Sequence, residues 1–169
     1  MILQTKRLII YSLNLELFKK LINGESIQKE LSLDNEPLLD ADTNKAMQGL
    51  YEKALLNKDK YFWLTNWQII LTEQKKSIGS ACFMDIPDEN GQVEIGYGID
   101  EQFRNKGYMT EAVLGLCVWA FKNKAKIISA ETEKDNLASQ KVLEKVGFLK
   151  SDERDGSCFY KLYRNIRGI

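Results

Sequence analysis

Between residues 93 and 122 the chain changes its apolar period once, and that change limits what it can fold into. VEIGYGI at 93–99 reads as a strand. After it, Met109, Ala112, Val113, Leu116, Cys117, Ala120 and Phe121 fall at helical spacing, so one face of a helix over about 107–122 is aimed at a sheet. A strand that feeds a docked helix fixes the segment between them, and that segment is RNKGYMTEA at 104–112.

The flanking sequence supplies the sheet. YFWLTNWQIIL at 61–71 reads as a strand ending at the polar turn TEQKKS, and a second strand runs from about Ile78 to Met84. PDENG then turns the chain, with Asn90-Gly91 suited to positive φ, so the three strands form an antiparallel meander. Downstream come a strand at 126–132, a helix at 136–146 and a hairpin pairing FLKSDE with SCFYKLY around Asp155-Gly156. Upstream, KRLIIY at 6–11 suits a strand, and Leu13 to Ile22 has helical spacing. A second helix is expected over 43–57 with Thr43 as N-cap. The expected class is α+β, with a mixed, mostly antiparallel central sheet and flanking helices. No linker, repeat or low-complexity tract interrupts the chain, so residues 1–169 are expected to form one domain.

Composition narrows the chemistry. Lys and Arg number 24 and so do Asp and Glu, leaving no global field to draw the protein to nucleic acid or an anionic membrane. The opening MILQTKRLII has too short an apolar run for a signal peptide, and no stretch reaches the roughly 18 apolar residues of a spanning helix, so a cytoplasmic location is expected. Cys82, Cys117 and Cys158 are odd in number and widely spaced; they read as buried small hydrophobes rather than a disulfide or zinc framework, and no metal site is expected. Histidine is absent, which removes Ser-His-Asp and Cys-His machinery. Any general base must be a carboxylate, a Lys, a Tyr or a water chain.

RNKGYMTEA has the order of an anion cradle. A docked helix offers unpaired N–H groups and a partial positive charge at its start. Gly107 lets the backbone approach a ligand, and Arg104 and Lys106 carry full charges. Taken alone, the same residues also suit solvated charges beside a turn. Other phosphate motifs fit less well: GxxxxGK[ST] is absent, and Gly96-Tyr97-Gly98 lacks a third glycine and lies within a strand. Two glycines in a strand suggest a bulge or close backbone approach by a ligand.

VEIGYGIDEQFRNKGYMTEAV at 93–113 together with NLASQKVLEKVGF at 136–148 resembles the acetyl-CoA-binding core of the Gcn5-related N-acetyltransferases (GNAT). The likeness is to the branch that modifies ribosomal-protein N-termini, whose first strand TKRLII at 5–10 is also similar. In the family motif [QR]xxGx[GA], Arg104 and Gly107 match, whereas Met109 stands where Gly or Ala is usual. The resemblance implies a splayed strand pair that binds acyl-CoA. The backbone of Tyr97, Gly98 and Ile99 would pair with the pantetheine arm. Amides of Arg104, Asn105, Lys106, Gly107, Tyr108, Met109 and Thr110 would hold the diphosphate. Asn136 and Ser139 would face the pantetheine and thiol end, and Lys145 the adenosine phosphate. Asn136 also suits a helix N-cap.

The implied reaction moves an acetyl group from acetyl-CoA to a primary amine. An α-amino group has a pKa near 8 and a lysine side chain roughly 10, so a protein or peptide N-terminus is the easier nucleophile. Glu94 is the first candidate base, since related enzymes carry a glutamate at a comparable place and burial would raise its pKa. Glu131 is the reserve. Many relatives place a Tyr acid where this chain has Leu143, so Ser139 is the expected proton donor to the thiolate, ahead of Tyr97 and Tyr108.

Two features bear on the acceptor. Between residues 25 and 42 the acids Glu25, Glu30, Asp34, Glu36, Asp40 and Asp42 face one base, Lys29, which suits either a solvated surface or a rim for a cationic peptide, polyamine or aminoglycoside. Trp63 and Trp67, read as one strand, point to the same side and suit core packing. A non-catalytic acyl-CoA-binding module is the competing reading, and a monomer and a homodimer both remain open.

Overall fold

A computed structural model describes residues 1–164; residues 165–169, the end of the span expected as one domain, lie outside them. The strands are β1 Ile2–Gln4, β2 Leu8–Ser12, β3 Trp67–Leu71, β4 Lys76–Phe83, β5 Gln92–Ile99, β6 Ile127–Glu133, β7 Leu149–Arg154 and β8 Ser157–Tyr163. The helices are α1 Leu15–Ile22, α2 Ala41–Leu56, α3 Tyr108–Lys122 and α4 Leu137–Val146. One sheet runs β1-β2-β3-β4-β5-β6-β8-β7. Every neighbouring pair is antiparallel except β5 and β6. The α+β class and the antiparallel meander expected from the sequence are both present.

That parallel pair is short. β5 meets β6 only at Gln92–Ile127, Val93–Ile128 and Glu94–Ser129. Past Glu94 each strand keeps its other neighbour: β5 stays on β4 as far as Ile99, and β6 stays on β8 as far as Glu133. The sheet therefore opens between Ile95–Ile99 and Ala130–Glu133. Gly79 of β4 holds β5 on the near side of the gap, because a Cβ there would lie 2.3 Å from the Gly98 carbonyl oxygen and 2.9 Å from Ile99 Cα. Only a glycine lets the two backbones sit this close.

Alternation along the strands sorts the two faces. Leu8, Ile10, Ile69, Phe83, Val93 and Ile95 are buried on the side where α3 packs on β1, β2 and β5. α4 packs against α3 and β6. Trp119 of α3 collects the aromatic core, with ring centroids 4.6 Å from Trp63, 5.0 Å from Trp67 and 5.6 Å from Phe83. α1 and α2 pack on each other, and the rings of Phe18 and Tyr51 meet nearly at right angles with centroids 5.5 Å apart. The three cysteines are free and buried, as their spacing suggested.

Several local expectations need correction. Residues 61–71 are not one strand: Lys58–Trp63 winds as a short 3-10 helix and the strand begins at Trp67. The Trp67 indole donates to the Phe62 carbonyl at 3.1 Å, so tertiary packing of the aromatics overrides their strand propensity. Trp63 and Trp67 are core residues all the same. α2 starts before Thr43, because Asp40 is its cap and accepts from the Thr43 N–H at 2.8 Å. β1 was not expected; it is a three-residue edge strand on β2.

Candidate active site

The opening between β5 and β6 continues into a cleft of about 490 Å³ beside the start of α3. Tyr97, Gly98 and Ile99 of β5 form one wall. Arg104, Asn105, Gly107, Tyr108, Met109 and Thr110 form its end, and Asn136, Ser139 and Lys145 come from the α4 side. Residues read from two separate stretches of sequence are thus brought to one place. Lys106 is the exception: its ammonium donates to the Gln102 carbonyl at 3.0 Å and sits over the Phe103 ring at 5.6 Å. It is not among the residues lining the cleft.

The loop before α3 is built to present N–H groups. Asn105 and Gly107 both adopt positive φ, 61° and 77°, and Gly107 occupies the cap position without any side-chain cap. Among the described residues, the backbone N–H groups from Asn105 to Thr110 meet no backbone acceptor; Glu111 is the first to donate, to the Gly107 carbonyl. Successive free N–H groups in such a turn form an anion-binding concavity. Met109 does not crowd it, since its side chain is buried in the core. Arg104, Lys141 and Lys145 set three cations around the cleft against Glu133 and Asp135. Lys141 was missed in the sequence, although it precedes Lys145 by one helical turn and shares its face.

Tyr97 and Ser139 form a couple across the cleft. The phenol lies 2.9 Å from the Ser139 hydroxyl and also donates to the Ser139 carbonyl at 3.2 Å. Burial pushes the Tyr97 pKa up to about 12, against the lowering effect of the Ser139 hydrogen bond. Asn136 caps α4, accepting from the Ser139 N–H at 3.1 Å, so it fixes the backbone of the residue that meets Tyr97. Leu143, at the position where the family resemblance implies a Tyr in many relatives, is fully buried.

The other face of the opening carries the carboxylates. Glu94 alternates with Val93 and Ile95 and so points away from α3. It lines a cavity of about 420 Å³ with Ser129, Glu131, Phe159 and Lys161. Its side chain keeps some contact with solvent, yet desolvation by the cavity walls, reinforced by the negative charge of Glu131, raises its pKa from the ordinary glutamate value. Glu131 also lines a larger cavity of about 720 Å³, which reaches Tyr97, Gly98 and Ile99 from the side opposite the cleft. α2 and the segment before it form the wall of that cavity through Glu36, Leu39, Asp40 and Met47. Of the acidic run at 25–42, only Glu36 and Asp40 reach it. Glu30 instead pairs with Lys20 at 2.5 Å, and Glu36 is tethered by the Ile27 N–H at 3.0 Å.

Comparison with known proteins agrees with this geometry. The family described as Acetyltransferase (GNAT) domain matches residues 7–149, and the chain belongs to that family. An uncharacterized N-acetyltransferase of Bacillus subtilis, YjdG, is 41% identical over 85 residues, covering 50% of this chain and 51% of the relative. The chain thus spans about half the length of that curated relative. Among solved structures, the ribosomal-protein-S5-alanine acetyltransferase of Vibrio fischeri superimposes with a TM-score of 0.71 over the whole of both chains at 17% identity. A ribosomal L7/L12 alpha-N-protein acetyltransferase in complex with coenzyme A has a TM-score of 0.67 and 20% identity, covering 96% of this chain and 98% of its own. At these identities the likeness is one of fold.

Proposed function

We propose that this protein is an acetyl-CoA-dependent N-acetyltransferase that takes its donor in the cleft beside α3 and its amine from the opposite face of β5. The observation that carries the reading is the convergence, in one cleft, of the β5 edge left open past Glu94 and the free N–H groups from Asn105 to Thr110. The first offers strand-like pairing to an amide-bearing arm, the second a cradle for a diphosphate. Arg104, Lys141 and Lys145 add charge, with Lys145 kept as the residue facing the adenosine phosphate. Asn136 and Ser139 stand at the thiol end.

In the reaction the uncharged amine attacks the thioester carbonyl. A C–N bond forms, the C–S bond breaks, and the amine proton passes through water to Glu94 or Glu131. The departing thiolate takes a proton from the Tyr97–Ser139 couple. Much of the rate comes from bringing the two reactants, which enter from opposite faces of the sheet, together at the opening between β5 and β6. A β5 backbone N–H stabilises the oxyanion.

The acceptor that fits best is a protein or peptide N-terminal α-amine, because its lower pKa leaves more of it uncharged. The fold shared with ribosomal-protein acetyltransferases supports that class and the corresponding branch of the family. A small cationic amine is the second reading, favoured by Glu36, Asp40, Asp100 and Glu131 around the larger cavity, where Arg104 is the cation among the lining residues. Incubation with acetyl-CoA and a mixed library of N-terminal peptides, polyamines and aminoglycosides, read by mass, separates the two. Transfer to none of them would favour a non-catalytic acyl-CoA-binding module.

A further inference from the structure

Arg7 and Glu111 lie outside the cleft lining, and neither takes part in the reaction described above. Glu111 sits in the first turn of α3, with its side chain 17% exposed. One carboxylate oxygen accepts from the Thr5 hydroxyl at 2.7 Å and the Arg7 N–H at 2.8 Å; the other accepts from Arg7 Nε at 2.7 Å. The rest of the Arg7 guanidinium faces the loop. Its Nη1 donates to the Lys106 carbonyl at 3.0 Å, and its Cζ lies over the Tyr108 ring, 4.5 Å from the ring centre. A single arginine therefore ties the turn between β1 and β2 to both the cradle loop and the first turn of α3.

The peptide between Lys106 and Gly107 is trans, so its C=O and N–H point in opposite directions. Holding the Lys106 carbonyl outward on Arg7 turns the Gly107 N–H the other way, and Gly107 lines the cleft. The same peptide lies between the two positive-φ residues, Asn105 and Gly107, where the backbone has most freedom to flip. Because the guanidinium is a rigid fork, it can hold carboxylate and carbonyl together. We infer that Arg7, locked by Glu111 and Thr5, is a positioning residue that sets the Gly107 amide toward the donor's diphosphate. The inference rests on the donor reading above.

Simple electrostatics makes the opposite forecast for Glu111. A carboxylate in the first turn of α3 repels an anion bound at that helix start, so neutralising it should tighten binding. If Glu111 acts by locking Arg7, neutralising it should weaken binding.

Calorimetric titration of coenzyme A into the wild type, Arg7→Ala, Arg7→Lys, Glu111→Gln and Thr5→Val tests this, with thermal unfolding of each protein measured without ligand. Arg7→Ala and Glu111→Gln are expected to weaken binding roughly tenfold, in keeping with the cost of misplacing a positioned group. Arg7→Lys, which keeps the charge but loses the fork, should not restore it. Thr5→Val removes one donor to Glu111 and no charge, so it should fold and bind about threefold more weakly, which keeps the test decisive if a charge variant unfolds. With an acceptor in hand, Arg7→Ala should raise KM for acetyl-CoA and leave kcat within about twofold. Unchanged or tighter binding in Glu111→Gln, or unchanged binding in Arg7→Ala or Thr5→Val, overturns the inference while the donor reading stands. A wild type that does not bind coenzyme A overturns both.

Discussion

The phenol oxygen of Tyr97 lies 2.9 Å from the hydroxyl oxygen of Ser139, joining residues 42 positions apart across the opening of the sheet. Neither group is acidic enough to lose its proton near neutrality, and burial holds the Tyr97 pKa up at about 12. The couple therefore keeps its protons at working pH, as the proposed role of donor to the departing thiolate requires. Tyr97→Phe should lower kcat about a hundredfold, the lower range for a lost general acid, while coenzyme A binding stays within a few-fold. Steady-state kinetics paired with calorimetry checks both halves. An unchanged kcat would return the acid role to Ser139 acting alone or to water.

The pH profile reports on the base. The Glu94 pKa is raised by burial and then by the charge of Glu131. As pH falls through that raised value Glu94 gains a proton and can no longer accept one, so kcat/KM, once corrected for protonation of the free amine, should keep an acid limb displaced upward from the ordinary glutamate value. Glu131→Gln removes the second cause and should move that limb to lower pH. Glu94→Gln should abolish most turnover while leaving coenzyme A binding intact. A limb that stays in place in Glu131→Gln would show that Glu94 is not the group titrating.

The closeness of β4 and β5 predicts unequal effects for two glycines. Gly79→Ala would place a Cβ 2.3 Å from the Gly98 carbonyl oxygen, a backbone atom that cannot simply rotate aside. It should cost about 1–3 kcal/mol, as overpacking does, and weaken coenzyme A binding by shifting Tyr97–Ile99. Gly98→Ala meets no atom within 4 Å. Its stability should stay within about 0.5 kcal/mol of wild type, with any effect confined to the amine side. Chemical denaturation of the two variants decides it.

Trp119 tests the core under α3. It packs on Trp63, Trp67 and Phe83, and its indole N–H has no partner among the described residues. Trp119→Ala should cost about 3–5 kcal/mol through the cavity it leaves. Trp119→Phe should cost much less, because the lost donor was already unsatisfied. Equal losses in denaturation would mean that the indole N–H is bonded in solution.

Periodicity made much of this architecture legible. The apolar spacing from Met109 to Phe121 located α3 within a residue at each end, and Asn90-Gly91 and Asp155-Gly156 both mark real turns. The cleft was legible for a different reason: Gly107 and a docked helix start are visible as residue types but suit a turn beside solvated charges equally well, and it was the family resemblance that joined them to Tyr97–Ile99, Asn136, Ser139 and Lys145. What the sequence hid depends on tertiary contact. Nothing local shows that residues 58–63 would wind as a 3-10 helix that sets Trp63 against Trp119, or that Lys106 would turn onto Phe103. The meeting of Arg7 with Glu111 spans 104 positions and leaves no mark in spacing. The same holds for Glu131, whose place between two cavities follows from how far β5 and β6 stay together.

Residue-resolved amide hydrogen exchange with and without coenzyme A reads the proposed donor contacts one N–H group at a time. Protection is expected on ligand addition at amides within Tyr97–Ile99 and Asn105–Thr110, with little change in β7 and β8. Binding of coenzyme A that leaves those amides exchanging as before would contradict the account.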